Sequence, residues 1–176
     1  MTDYIGGEIA GIATIRGEVI SGQDMVEELI DITVKLDGLS TFNSPWFRQL
    51  RGPDTDHVNS VAANLNPVAS AGVETMLMLW QIQQGITSTQ PKMLLMLNDM
   101  SLPWGGLFDV NANWGRPHSG HRRGDSVDIN RQVFDVDASI MISLPTNQRA
   151  NVSRVCTAAG GKFYKANVDP NWHCQF

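Results

Sequence analysis

The sequence predicts an α+β protein, in which a small antiparallel sheet with helices packed on one side follows a β-rich N-terminal segment. Three observations carry this. Ile30-Asp31-Ile32-Thr33-Val34-Lys35-Leu36-Asp37 alternates apolar and polar residues without a break. Val73, Leu77 and Trp80 recur at helical spacing, with Gly85 just beyond the segment that holds them. A short apolar run from Lys92 to Leu97 ends at turn-like Asn98-Asp99, as suits a buried strand.

Residues 1–50 read as an appended β-rich segment and residues 51–176 as the main domain. From Ile9 to Ile20 the chain is rich in Ile, with Val and Thr, and is broken by glycines. The alternation that begins at Ile30 predicts a strand with Ile30, Ile32, Val34 and Leu36 on one buried face. Residues 51–67 carry Gly, Pro, Asp and Asn and read as a connector. A helix is expected from Val68 to Gln84 and a strand from Lys92 to Leu97. Residues 101–125 hold many glycines, with Pro103 and Pro117, and read as loops around a site. Beyond them, Ser126 to Ile129 reads as a short strand and Asn147 to Ala159 as a second helix that stops at Gly160-Gly161. Trp172 to Phe176 closes the series as a final strand.

The chain has 176 residues, of which 42% are hydrophobic, enough to bury a core in one domain or in a compact domain with a small module. Its formal charge of −5 is scattered, with no basic run, which argues against nucleic acid or an anionic membrane as partner. No apolar stretch is long enough to span a membrane. Met1-Thr2-Asp3-Tyr4 lacks the regions of a signal peptide, so the expectation is a cytoplasmic chain or a piece excised from a secreted one. Cys156 and Cys174, the two cysteines, are spaced unlike a four-cysteine zinc site. A disulfide between them is left open, since it depends on the compartment. The helix carrying Cys156 and the strand carrying Cys174 must pack together for it to form.

The four histidines are His57, His118, His121 and His173. A catalytic zinc is held by neutral imidazoles and carboxylates, usually three protein ligands plus water. His121 ends a loop and Asp128 lies on the next strand, so the two converge if the intervening segment folds back, a turn that Gly124 eases. His173 on the closing strand completes the set from a neighbouring place in the sheet. The alternative is that these are solvated loop side chains.

Ser119-x-His121-x-x-Gly124-x-x-x-Asp128 resembles the Ser-x-His-x-x-Gly-x-Ala-x-Asp signature of the zinc D-Ala-D-Ala peptidases. That superfamily also includes the penicillin-insensitive murein endopeptidases and the hedgehog signalling domain. Ser126 stands at the Ala position. Trp172-His173 resembles the second half of the pattern, which ends in His-x-His or Glu-x-x-His on a closing strand. The resemblance covers residues 90–176 and leaves the first 50 outside.

The resemblance implies that His121, Asp128 and His173 are zinc ligands. The family places a Glu three residues before the last ligand, or a His two before it. Here those positions are Pro170 and Asn171, neither of which takes a proton from water. Asp169 is the nearest carboxylate and fills the role of base if its loop is remodelled; otherwise it opens an Asp-Pro-Asn turn. His118 is either a catalytic or substrate-contacting group beside the metal or a surface histidine. Arg122 or Arg123 holds a substrate carboxylate or is simply solvated. His57 belongs to a second metal cluster or to a polar turn, and Trp104 and Trp114 wall a cleft or pin the long loop. Ser119 has no base at a readable spacing and is no candidate nucleophile.

The implied activity is zinc-assisted hydrolysis of an amide bond, with a peptidoglycan stem peptide as substrate. Such a substrate implies a secreted or periplasmic protein, here without its leader. The departure before His173 keeps an alternative: a zinc-stabilised module that binds peptidoglycan or a protein partner without cleaving it. A third reading, a carbohydrate-binding β module with an incidental histidine cluster, requires zinc to be absent.

Overall fold

The computed structural model describes residues 11–21, 24–49, 63–85, 92–106, 118–165 and 171–176. At its start, β1 (Gly11–Ser21) and β2 (Asp24–Val34) pair antiparallel, with Ile15 opposite Ile30. One face of this ribbon carries Ala13, Ile15, Ile30 and Ile32. The other carries Thr14, whose hydroxyl donates to Asp31, and Arg16, which bridges Glu18 and Glu27. The expected burial of the apolar face is not found: Ile30 is 54% exposed, and Leu36, beyond the end of β2, is 42% exposed. Alternation fixes which side is apolar, but burial needs a second layer, and the described residues put none over the ribbon.

Two short strands follow, β3 (Ser40–Thr41) and β4 (Phe47–Gln49), and β3 pairs with β5 (Asn64–Leu65). The main sheet runs β4-β6-β7-β10-β9, where β6 is Met93–Leu97, β7 is Ser126–Asp135, β9 is Lys162–Lys165 and β10 is Trp172–Gln175. β8 (Ile140–Ser143) pairs with the second half of β7. β4 and β6 are parallel and the other pairs antiparallel, so the sheet is mixed. β4 belongs to this sheet although it falls within the first 50 residues. β7 continues well past the expected Ile129, because pairing with β6 and β8 carries the polar stretch Asn130-Arg131-Gln132 along as strand.

α1 (Pro67–Gln83) begins where the Asn66 side chain accepts from the Ala69 amide at 2.9 Å, with Pro67 in the first turn. Its buried face, Ala69, Val73, Met76, Leu77 and Trp80, packs in one core with Leu95, Leu97, Val127, Ile129 and Val133. Trp80 Nε1 and Gln81 Nε2 both donate to the Met93 carbonyl, which ties the end of α1 to β6. α2 (Arg149–Ala158) buries Val152, Val155 and Cys156. Cys156 is joined to Cys174 of β10 by a disulfide, with the Cα atoms 6.1 Å apart. Trp172 and Cys174 are therefore the core-facing residues of β10, and the strand's period of two turns His173 and Gln175 to the opposite face. Within residues 101–125, expected to be loop throughout, His118–Arg123 forms a 3₁₀ turn, a frequent connector between regular elements.

Candidate metal centre

Three pieces of chain meet on the face of the sheet turned away from the core. The 3₁₀ turn carries His121 in its last turn and ends at Arg123, and Gly124, at φ 65°, reverses the chain into β7. A side chain at Gly124 would be strained by that φ and would strike Leu39 and the backbone at Asn66, so glycine is required there. The Asn66 amide also donates to the Gly124 carbonyl at 2.9 Å, fixing the reversal against the start of α1. Asp128 follows in β7, and the antiparallel register of β10 sets His173 directly opposite it.

Asp128 Oδ1 lies 2.8 Å from His173 Nδ1 and 3.4 Å from His121 Nε2. The two imidazoles meet edge to face with centroids 5.0 Å apart. One ligand atom from each residue lies within 4.8 Å of the others, close enough to hold a metal ion. His121 and Asp128 are buried, and His173 is more exposed, so the cluster opens on the β10 side.

Burial works against the Asp128 charge, but the charge and hydrogen bond of His121, then those of His173, outweigh it and hold the carboxyl well below the usual range. Burial likewise opposes a proton on His121. The charge and hydrogen bond of Asp128, the charge of Asp99 and a backbone hydrogen bond at Ser126 together overcome this and raise its pKa. The cluster thus favours positive charge facing a permanent carboxylate, an arrangement a cation can replace.

The expected ligands His121, Asp128 and His173 are brought together. Asp169, Pro170, His57 and Trp114 lie outside the described residues. The His118 backbone opens the 3₁₀ turn, and its side chain is also outside them. Arg123 pairs with Asp125 at 2.9 Å. Ser126, at the motif's Ala position, donates its buried hydroxyl to Asp125, which is how the larger residue is accommodated. Trp104 is 42% exposed, and its carbonyl accepts from the Leu36 amide.

Two neighbours of the cluster went unnoticed in the sequence. Tyr164 sits opposite His173 in β9, with ring centroids 6.0 Å apart, and extends the row Asp128–His173–Tyr164 across three strands. Asp99 reads as a turn residue, yet it is buried and its carbonyl accepts from the Asp128 amide. The one sequence signal for it is an acid two residues beyond a buried strand. Comparison with family models, curated proteins and solved structures finds no match to this chain.

Proposed function

We propose that this protein is a zinc-dependent peptidase acting on bacterial cell-wall peptides. The observation that carries the reading is the meeting of His121, Asp128 and His173, the residues of a two-part motif separated by 45 positions between Asp128 and His173. Two imidazoles and a carboxylate are a donor set suited to zinc with an open fourth position. Tetrahedral zinc with bonds of ~2.0–2.2 Å separates neighbouring ligand atoms by about 3.4 Å. The His121–Asp128 distance of 3.4 Å has that value. The His173–Asp128 hydrogen bond of 2.8 Å must open by about half an ångström and give up its proton.

Zinc, when bound, supplies Lewis acidity to a carbonyl. The protein's residues do the rest. His121, Asp128 and His173 hold their donor atoms in place on a turn and two paired strands. Asp169 takes the proton of the attacking water and passes it to the leaving amine, and His118 is the next candidate for that role. The substrate enters from the exposed side, over His173 and Tyr164. The Cys156–Cys174 disulfide supports an oxidising compartment, in keeping with a secreted or periplasmic protein.

The test is digestion of purified cell-wall sacculi by the zinc-loaded full chain. Release of peptide fragments is expected, and Asp169→Asn should lower it by about 10²–10⁴-fold with zinc content unchanged. Pro170 and Asn171, standing where the motif has Glu or His, favour one other reading, a zinc-stabilised module that binds cell-wall peptides without cutting them. Full zinc occupancy with no turnover selects that module, and turnover retained in Asp169→Asn passes the role of base to His118.

A further inference from the structure

Around the connection from β3 to β4 lies a cavity of about 520 Å³, lined by Thr41, Phe42, Asn43, Ser44, Phe47 and Gln49 among others. That volume is in the range of small-molecule sites. The cavity is separate from the metal cluster. Phe47 stands opposite Leu95, and Leu95 opposite Val133, so Phe47 is level with a part of β7 beyond Asp128. Phe42 belongs to the core and Phe47 packs against it, whereas Asp128 and His173 are on the face turned away from the core.

The cavity has an apolar wall and a neutral polar rim. Phe42 is buried, and its amide donates to the Ala63 carbonyl at 2.8 Å, which fixes its place. Its ring and that of the half-buried Phe47 are 5.3 Å apart and tilted by 34°. The rim consists of the Thr41 and Ser44 hydroxyls and the Asn43 and Gln49 amides. The Thr41 hydroxyl donates to Asn64 Oδ1 at 3.2 Å and keeps its lone pairs for another donor. Ser44 Oγ accepts from the Trp46 amide at 3.2 Å, which shapes the loop and leaves the hydroxyl proton to be donated elsewhere. The exposed Asn43 side chain makes no hydrogen bond to another described residue. Among the described residues, none that lines the cavity carries a charge.

This chemistry selects the ligand. A charged group would lose hydration there without gaining a partner. A wholly apolar one would leave the rim groups unpaired. Hydroxyls and amides both donate and accept, as sugar hydroxyls require, and an aromatic ring offers a flat apolar surface to the CH groups of a pyranose. We propose that the cavity binds a neutral saccharide, with a sugar ring laid on Phe47 and its hydroxyls met by Thr41, Asn43, Ser44 and Gln49. The site lies beyond the metal-centre reading and does not depend on it.

The test uses the full chain in chelator, so that the metal centre takes no part. Trimers of N-acetylglucosamine and of β-linked and α-linked glucose are titrated against isotope-labelled protein, with the uncharged peptide acetyl-Ala-Ala-Ala-amide as control. Saturable binding of at least one trimer is expected, with amide shifts in the NMR spectrum centred on residues 41–49. Asn43→Ala should weaken it about 2–10-fold, the loss of a neutral hydrogen bond. Phe47→Leu, which keeps apolar bulk but removes the flat ring, should weaken it at least as much. No binding of any trimer at millimolar concentration overturns the assignment, as do shifts centred elsewhere or wild-type affinity in both variants. A peptide that binds at residues 41–49 as tightly as the best trimer also overturns it, in favour of a peptide site. If Phe47→Leu does not fold, Asn43→Ala and the shift map decide, and unchanged affinity in Asn43→Ala then overturns the assignment. None of these outcomes bears on metal binding by His121, Asp128 and His173, which is measured separately.

Discussion

His121 and His173 contribute to the same cluster, yet they differ in how much of the fold leans on them. His121 is 1% exposed and enclosed on the face of the sheet turned away from the core, whereas the His173 side chain is 21% exposed at the rim. Removing His121 leaves both a cavity and a buried Asp128 short of one partner, so His121→Ala should cost the metal-free protein about 2–3 kcal/mol. His173→Ala should cost about 1 kcal/mol, since water reaches the gap and Asp128 keeps its contact with His121. Both variants should lose stoichiometric metal. Urea denaturation in the presence of chelator, alongside elemental analysis, measures the two effects separately. These two histidines and Asp128 were candidates in the sequence because ligand chemistry restricts residue type and a glycine marks the reversal between them, but the choice of them as a set came from the resemblance of the motif and not from the residues alone. Asp99 was not a candidate, because Asn98-Asp99 carries the composition of a turn, and only the backbone pairing to Asp128 shows that the pair continues beside β7.

α2 and β10 are joined by both packing and covalency, and the link lies next to His173 of the cluster. The Cys156–Cys174 bond spans 18 residues of sequence. A loop of that size restricts the unfolded chain by about 3 kcal/mol on the chain-entropy account. Cys156→Ala/Cys174→Ala should therefore lower stability by about that amount, and thermal unfolding with and without reductant should show the wild type falling to the variant's level. Gly161 packs against both sulfurs, so the bond occupies a space that a larger residue there would contest. Among the elements, α1 and β6 stood out in the sequence because each has a clean period or a clear stop. β8 and β9 did not: each has four residues, too few for a period to register, and both exist through their pairing partners. The apolar alternation of β2 was legible, but its exposure was not, because covering a face is a property of neighbours and not of the strand.

Across the whole molecule, a metal bound by His121, Asp128 and His173 would join the 3₁₀ turn, β7 and β10, and so bind the folded chain in preference to the unfolded one. Free zinc at about 100 times its Kd should then stabilise the protein by about 2.7 kcal/mol, read as a rise in Tm that chelator reverses. The α+β class was legible from a few periodic segments, but the order of strands was not, since it depends on pairings between distant residues. That order has a kinetic consequence. β10, the latest strand of the sheet in sequence, is inserted between β7 and β9, and among the described residues β9 has no other neighbour in the sheet. Assembly cannot proceed along the chain from one end, because β9 must wait for a strand that follows it. The pairing of β7 with β10, between residues such as Asp128 and His173 that lie 45 apart in sequence, forms slowly, since the entropy of closing the loop is lost before pairing compensates it. Until β10 docks, the flanks of β7 and β9 that it will cover are open to pairing with other chains, and refolding yield should fall with protein concentration. His173 meets Asp128 only in that docking step, so the His121–Asp128–His173 cluster is the last feature the folding chain assembles.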